Sequence, residues 1–194
     1  MENSSKLKSI ITSPSSLSEA VIAPAVGAFL IIMIPLIAMQ FTSEVVWTTS
    51  DFIIAWTILF SIGFAFQAIG KRAKNSSYKF ATGIAAFTTL FVIWSNLAVG
   101  IIGNEDNPLN LMYFGVVLLM VFGSYIAQLK AKAMSKVLFA SAVLHALVSI
   151  IGLSIFSTQN PGYTIVNIAI INVVLVTMWA VSGLLYGKAS EVVD

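Results

Sequence analysis

Six runs of about twenty apolar residues, none with an Asp, Glu, Lys or Arg in its middle, leave this chain few ways to fold. They cover about 21–41, 52–70, 80–102, 109–129, 137–157 and 163–187. A helix rising 1.5 Å per residue crosses the roughly 30 Å of bilayer hydrocarbon in about 20 residues. In lipid an unpaired backbone group costs several kcal/mol, so each run must close its own hydrogen bonds as a helix. The strict alternation of a membrane β-strand is absent. Only 9% of the 194 residues are charged and 58% are hydrophobic, whereas a soluble domain carries about 25% charged residues. The expected fold is therefore all-α, a polytopic bundle of six spans.

The charges give an independent check on that count. Lys6 and Lys8 precede the first run, and Lys71, Arg72, Lys74 and Lys79 separate the second from the third. Lys130, Lys132 and Lys136 separate the fourth from the fifth, and Lys188 follows the sixth. With six spans all ten bases fall on one side, and Glu44, Asp51, Glu105 and Asp106 fall on the other. The positive-inside rule places the basic side, with both termini, in the cytoplasm. Aromatic residues near the span ends fit interfacial belts: Trp47, Tyr113 and Tyr163 outside, Tyr78, Tyr125 and Tyr186 inside.

The breaks are chemically legible. Thr48 and Asp51 stand at capping-box spacing before the second span. Asn107-Pro108 offers an N-cap and a first-turn proline to the fourth. Gly70 and Gly103 are expected as left-handed C-terminal glycines, and Asn160-Pro161-Gly162 as a turn. Pro24 and Pro35 predict a first span that is kinked or packed on a compensating neighbour. The run beginning near Ala20 is too long for a signal h-region, so it reads as an uncleaved span. No loop is long enough to fold separately, so one membrane domain over 14–188 is expected. A serine-rich flexible segment (1–13), with Ser13-Pro14 capping a short interfacial helix, would precede it, and a tail (189–194) would follow.

Several chemistries are excluded. Without cysteine there are no thiolate metal sites, iron–sulfur clusters or cysteine nucleophiles. No lysine, arginine or carboxylate lies mid-span to serve a retinal Schiff base, a voltage sensor or a carboxylate proton pump. One histidine cannot build a zinc site, no phosphate-cradling motif is present, and no cofactor is expected. A net charge of +2 scattered over loops gives no basis for nucleic-acid binding.

What remains is a set of neutral polar groups inside the spans. His145 has Ser141 and Ser149 four residues away on either side, on one helix face. Two readings stand: a proton relay or axial haem ligand, and a neutral histidine bonded to a neighbouring helix. Thr82, Thr89 and Asn96 repeat every seven residues, continuing to Gly103, and share a face turned toward other helices. Asn167 and Asn172, five apart, fall on different faces. These amides read as interhelical bonds or as the lining of a polar path beside His145. Gly183 and Gly187 form a GxxxG, for close packing within the bundle or for contact with a second copy or another membrane protein.

The outer loops gather acids and amides: Glu44, Trp47 and Asp51 in one, Asn104, Glu105, Asp106, Asn107 and Asn110 in the other. Carboxylate and amide oxygens suit a hard cation, so Glu44, Asp51, Glu105, Asp106, Asn107 and Asn110 are candidate ligand residues, with any metal left open. The competing reading is that these acids and amides complement helix dipoles and cap N-termini.

The sequences NLAVGIIGNEDNPLNLMY (96–113) and EVVWTTSDFIIAW (44–56) resemble a family of small uncharacterised bacterial integral membrane proteins, over spans two to four, roughly half the chain. The resemblance implies a bacterial inner membrane, with the outer face periplasmic, and no catalytic residues. The first functional expectation is a small transporter or channel-like component, with the acidic cluster as a cation-attracting entry. The alternative is a non-catalytic structural or assembly subunit that binds other membrane proteins. An enzyme ranks third, because no nucleophile and base are clustered.

Overall fold

A computed structural model describes residues 17–71, 73, 75–162 and 164–191. Among them no strand occurs, and six helices are long and apolar enough to cross a membrane. They are α1 (Leu17–Ala38), α2 (Thr49–Gly70), α3 (Ser76–Ala98), α4 (Leu111–Ile126, of spanning length together with the 3-10 turn Pro108–Asn110), α5 (Ala131–Gln159) and α6 (Val166–Glu191). Lys6, Lys8, Arg72, Lys74, Tyr163 and the segment around Ser13-Pro14 lie outside the described residues. The protein is thus an all-helical, multi-pass membrane protein.

The described residues fall into two compact units, the first running through Ala68 and the second from Ile69. Hydropathy cannot anticipate this, because it measures a helix's affinity for lipid and not its choice of neighbour. In the first unit Pro24 sits within a continuous α1 and packs on Gly63 of α2, where an added Cβ would lie 3.2 Å from the proline Cβ. Thr48 and Asp51 form the expected reciprocal cap. The Thr48 N–H and hydroxyl each donate to Asp51 Oδ2 at 2.7 Å, and the Asp51 N–H donates to Thr48 Oγ1 at 3.4 Å.

The second unit is built from α3, α4, α5 and α6. Tyr186 Oη and Thr82 Oγ1 approach to 2.8 Å, Ser182 donates to the Ala81 carbonyl, and Asn75 Nδ2 donates to the Ala189 carbonyl. These pairs run α3 and α6 antiparallel. Ser135 Oγ donates to the Gly183 carbonyl at 2.7 Å, running α5 and α6 antiparallel as well. The GxxxG serves this contact. A Cβ at Gly183 would meet Phe139 and the Ser135 carbonyl, and one at Gly187 would meet Ser135 Oγ. Lys79, Lys130, Lys132, Lys136 and Lys188 consequently belong to one end of the unit, and Glu105 and Asp106 to the other.

Several helix ends differ from the ends of the apolar runs. Asn75 caps α3 by accepting from the Tyr78 N–H at 2.9 Å, so the helix starts at Ser76 rather than near 80. Helix α5 starts at Ala131, six residues early, with Lys132 and Lys136 exposed in its first turns. Helix α6 continues through 189–191, which were expected as tail. Gly70 remains helical and is not among the left-handed glycines, which are Gly100, Gly103 and Gly162. Instead α4 ends through Gln128 and Leu129, with φ of 51° and 58°.

The largest difference is at the end of α3, expected to reach 102 and found to stop at Ala98. Gly100 then turns at φ +73°, where a Cβ would run into the Asn104 carbonyl, and Gly103 turns at φ +74°. The chain between folds inward and buries Ile101 and Ile102 in the core. Gly152 of α5 leaves the room that Ile102 fills. Asn110 holds this loop. Its Oδ1 accepts from the Ile101 and Ile102 N–H groups at 3.0 and 2.8 Å, and its Nδ2 donates to the Ile102 and Asn104 carbonyls at 3.3 and 2.7 Å.

Asn110→Ala removes all four bonds and strands two buried N–H groups, a cost on the order of 3 kcal/mol. We expect melting of the detergent-solubilised protein to fall by roughly 5 °C or more. Asn104→Ala, exposed and using only its backbone carbonyl, should stay near wild type; equal melting of the two variants would remove Asn110 from this role.

Candidate polar centre in the membrane interior

Helix phase gathers the polar residues of the second unit. Ser141, His145 and Ser149 recur every four residues on α5 and are all buried. Asn172 and Trp179 are seven apart on α6, hence on one face, and are buried too, whereas Asn167 is exposed. Tyr113 enters from the first turn of α4, three residues after Asn110.

These side chains meet at one atom. Asn172 Oδ1 accepts from Tyr113 Oη at 2.8 Å and Ser149 Oγ at 2.6 Å, and lies 3.2 Å from His145 Nε2. The amide orientation is set by Asn172 Nδ2, which donates to the Ile168 carbonyl at 2.8 Å. Trp179 Nε1 donates to His145 Nδ1 at 3.4 Å. An indole N–H can only donate, so Nδ1 carries no proton and the neutral imidazole bears it on Nε2, donating to Asn172. The tautomer is therefore fixed from both sides, and the Tyr113 ring lies 5.1 Å from the imidazole, centroid to centroid.

Both imidazole nitrogens are spent on groups that do not titrate, an amide and an indole. This is the neutral histidine bonded to a neighbouring helix, one of the two readings its position allowed. Ser149 has a single hydroxyl proton and also reaches the His145 carbonyl at 2.7 Å. With that proton on the carbonyl, the Tyr113 and His145 donors fill the two lone pairs of Asn172 Oδ1.

Around it the other intramembrane candidates divide. Thr82 and Asn96 are buried and Thr89 half-buried, as their seven-residue spacing requires, while Gly103 lies in the loop and not on that helix. Asn96 Nδ2 donates to the Val92 carbonyl at 2.6 Å, but its Oδ1 has no partner. Ser141 Oγ likewise has none.

The loop candidates are put to different uses. Asp51 is held by Thr48, Asn107 caps the turn at Pro108–Asn110 by accepting from the Leu109 N–H at 3.0 Å, and Asn110 pins the loop. Glu44, Glu105 and Asp106 are exposed. Glu44 and Asp51 belong to the first unit, and Glu105 and Asp106 to the second. Among the described residues no three acidic, histidine or cysteine side chains gather to hold a metal ion.

Tyr113 was expected in an interfacial belt and is instead fully buried, as is Tyr186; Tyr78 is buried beside it and donates to the Leu129 carbonyl. Distance from a span end placed these rings at the interface; rotation about the helix axis turns them inward. Tyr125, 85% exposed, remains on the outside of the bundle. Trp179 was not anticipated, although its seven-residue offset from Asn172 carried the signal.

No protein-family model matches the chain, and neither a curated protein nor a solved structure matches it. The reading of the site rests on its own geometry.

Asn172→Leu strands the Tyr113 hydroxyl and the His145 N–H, and should cost about 3 kcal/mol. Tyr113→Phe removes one of several donors, strands nothing, and should cost about 1 kcal/mol or less. Thermal melting of the two variants in detergent checks this order, and equal losses would mean that Asn172 Oδ1 is not the shared acceptor.

Proposed function

We propose that this protein is a small transporter or channel-like component, with the 99–110 loop as its mouth and the Asn172 centre as the internal contact for the translocated species. The observation that supports this most is the convergence of Tyr113, Ser149 and His145 on Asn172 Oδ1. Such a cluster bonds α4, α5 and α6 to one another, and intramembrane polar groups that include a histidine also mark substrate pathways. Glu105 and Asp106 are exposed at the mouth and attract cations by their field rather than by coordination. The bacterial inner membrane is carried over from the resemblance of residues 96–113 and 44–56.

The test is flux through liposomes reconstituted with the full chain, with water, urea, glycerol and potassium as probes. Wild type should speed at least one of them, and Tyr113→Phe should slow that one several-fold while melting near wild type. Flux equal to protein-free vesicles for all four would overturn the reading and favour the assembly-subunit alternative.

Orientation follows the lysines: the end bearing Lys132 faces the cytoplasm and the end bearing Asn104 faces out. The chain has no cysteine, so single cysteines report cleanly. Asn104→Cys should react with an impermeant maleimide in intact cells, and Lys132→Cys only after permeabilisation. The opposite pattern would invert the topology.

A further inference from the structure

Among the described residues three buried side-chain atoms have no partner, Gln67 Oε1 in the first unit and Asn96 Oδ1 and Ser141 Oγ in the second. Serine and threonine hydroxyls inside a helix ordinarily donate to the carbonyl four residues back. Thr82, Thr88, Thr89, Ser124, Ser149 and Thr177 all do so in this unit. Ser141 has the same option and does not take it, although it is wholly buried. Asn96 satisfies its amide N–H on Val92 and leaves its stronger acceptor bare. Each orphan costs about 1–3 kcal/mol when nothing answers it.

Both Asn96 and Ser141 lie on helices that pack against α6. The contacts of Asn75 with Ala189 and of Thr82 with Tyr186 set the α3–α6 register, which carries Asn96 to the level of residues 168–172 of α6. Ser141 lies one turn from His145 on the same face, toward the lysine-bearing end. Asn96 is therefore within about a turn of Asn172 along the bundle, and Ser141 lies beyond His145.

The chemistry of an occupant follows. No Asp, Glu, Lys or Arg is among the buried described residues, so an ion there would meet no charged side chain and would lose its hydration without recompense. A small neutral molecule that donates a hydrogen bond would answer the orphan oxygens.

We infer that Asn96 Oδ1 and Ser141 Oγ are two internal binding positions for small uncharged hydrogen-bonding molecules, water or a solute of urea size, near the level of the Asn172–His145 centre. This rests on the proposed transport reading for its purpose, but it is tested by occupancy and not by flux.

The experiment is water-edited solid-state NMR of the full chain in liposomes, first in buffer and then with isotope-labelled urea. Asn96 and Ser141 should receive magnetisation from water or from urea early, while their apolar neighbours Val92 and Leu138, equally buried, should not. Transfer from water alone identifies water as the occupant, and transfer only with urea identifies the solute. Ser141→Ala and Asn96→Leu should each abolish transfer at their own position and leave the other. If Asn96 and Ser141 stay as dark as Val92 and Leu138 in both samples, the inference is overturned even where the liposomes show flux. Transfer without flux of any probe would instead leave the binding positions standing and remove the transport reading.

Discussion

Hydrocarbon offers a polar group nothing to bond to, and most of the second unit can be understood as the way this chain meets that condition. Backbone groups are met by helix formation. The difficult places are where the helix stops and where a side chain is polar, and at both the chain uses a buried asparagine. Asn110 supplies two acceptor and two donor bonds to a loop that would otherwise bring bare peptide groups into the core. Asn172 takes up the donors of α4 and α5 and returns its own to α6. An amide does this work where a hydroxyl cannot, because it donates and accepts at once in fixed directions and carries no charge to desolvate.

Such bridges require close helices, and small residues provide the approach. Ser135 reaches the Gly183 carbonyl because neither Gly183 nor Gly187 holds α5 away. Gly123 admits Val137 in the same way, and Gly152 admits Ile102. In a membrane, where lipid competes with apolar side chains on equal terms, this mixture of tight packing and interhelical bonds is what holds helices together. The result is an interior with no formal charge, lysines at one end and two exposed acids at the other.

The acidic outer residues show why a list of polar residues is not a site. Asp51, Asn107 and Asn110 looked alike as oxygen donors, but each is already committed to the backbone, two at helix or turn starts and one at the loop. Glu105 and Asp106 remain free to act on their surroundings. The same distinction separates the intramembrane amides: Asn172 is the hub, Asn96 has a bare acceptor, and Asn167 faces outward.

Read alone, the sequence carried the helical class, the six spans and the main breaks, because spans follow from the length and polarity of local segments. The Thr48–Asp51 and Asn107-Pro108 caps were equally legible, since a cap is a contact over three residues. So was the shared face of Ser141, His145 and Ser149, which is helix periodicity. The tertiary structure decided the rest. It turned Tyr113 and Trp179 toward His145, spent Asn110 on the loop, closed Gly183 and Gly187 against Ser135, and stopped α3 at Ala98 so that Ile101 and Ile102 could enter the core. The physical reason is that each of these depends on the rotation and depth of one helix against another. Apolar runs of nearly equal hydropathy leave those quantities open, and only long-range contacts between particular side chains set them.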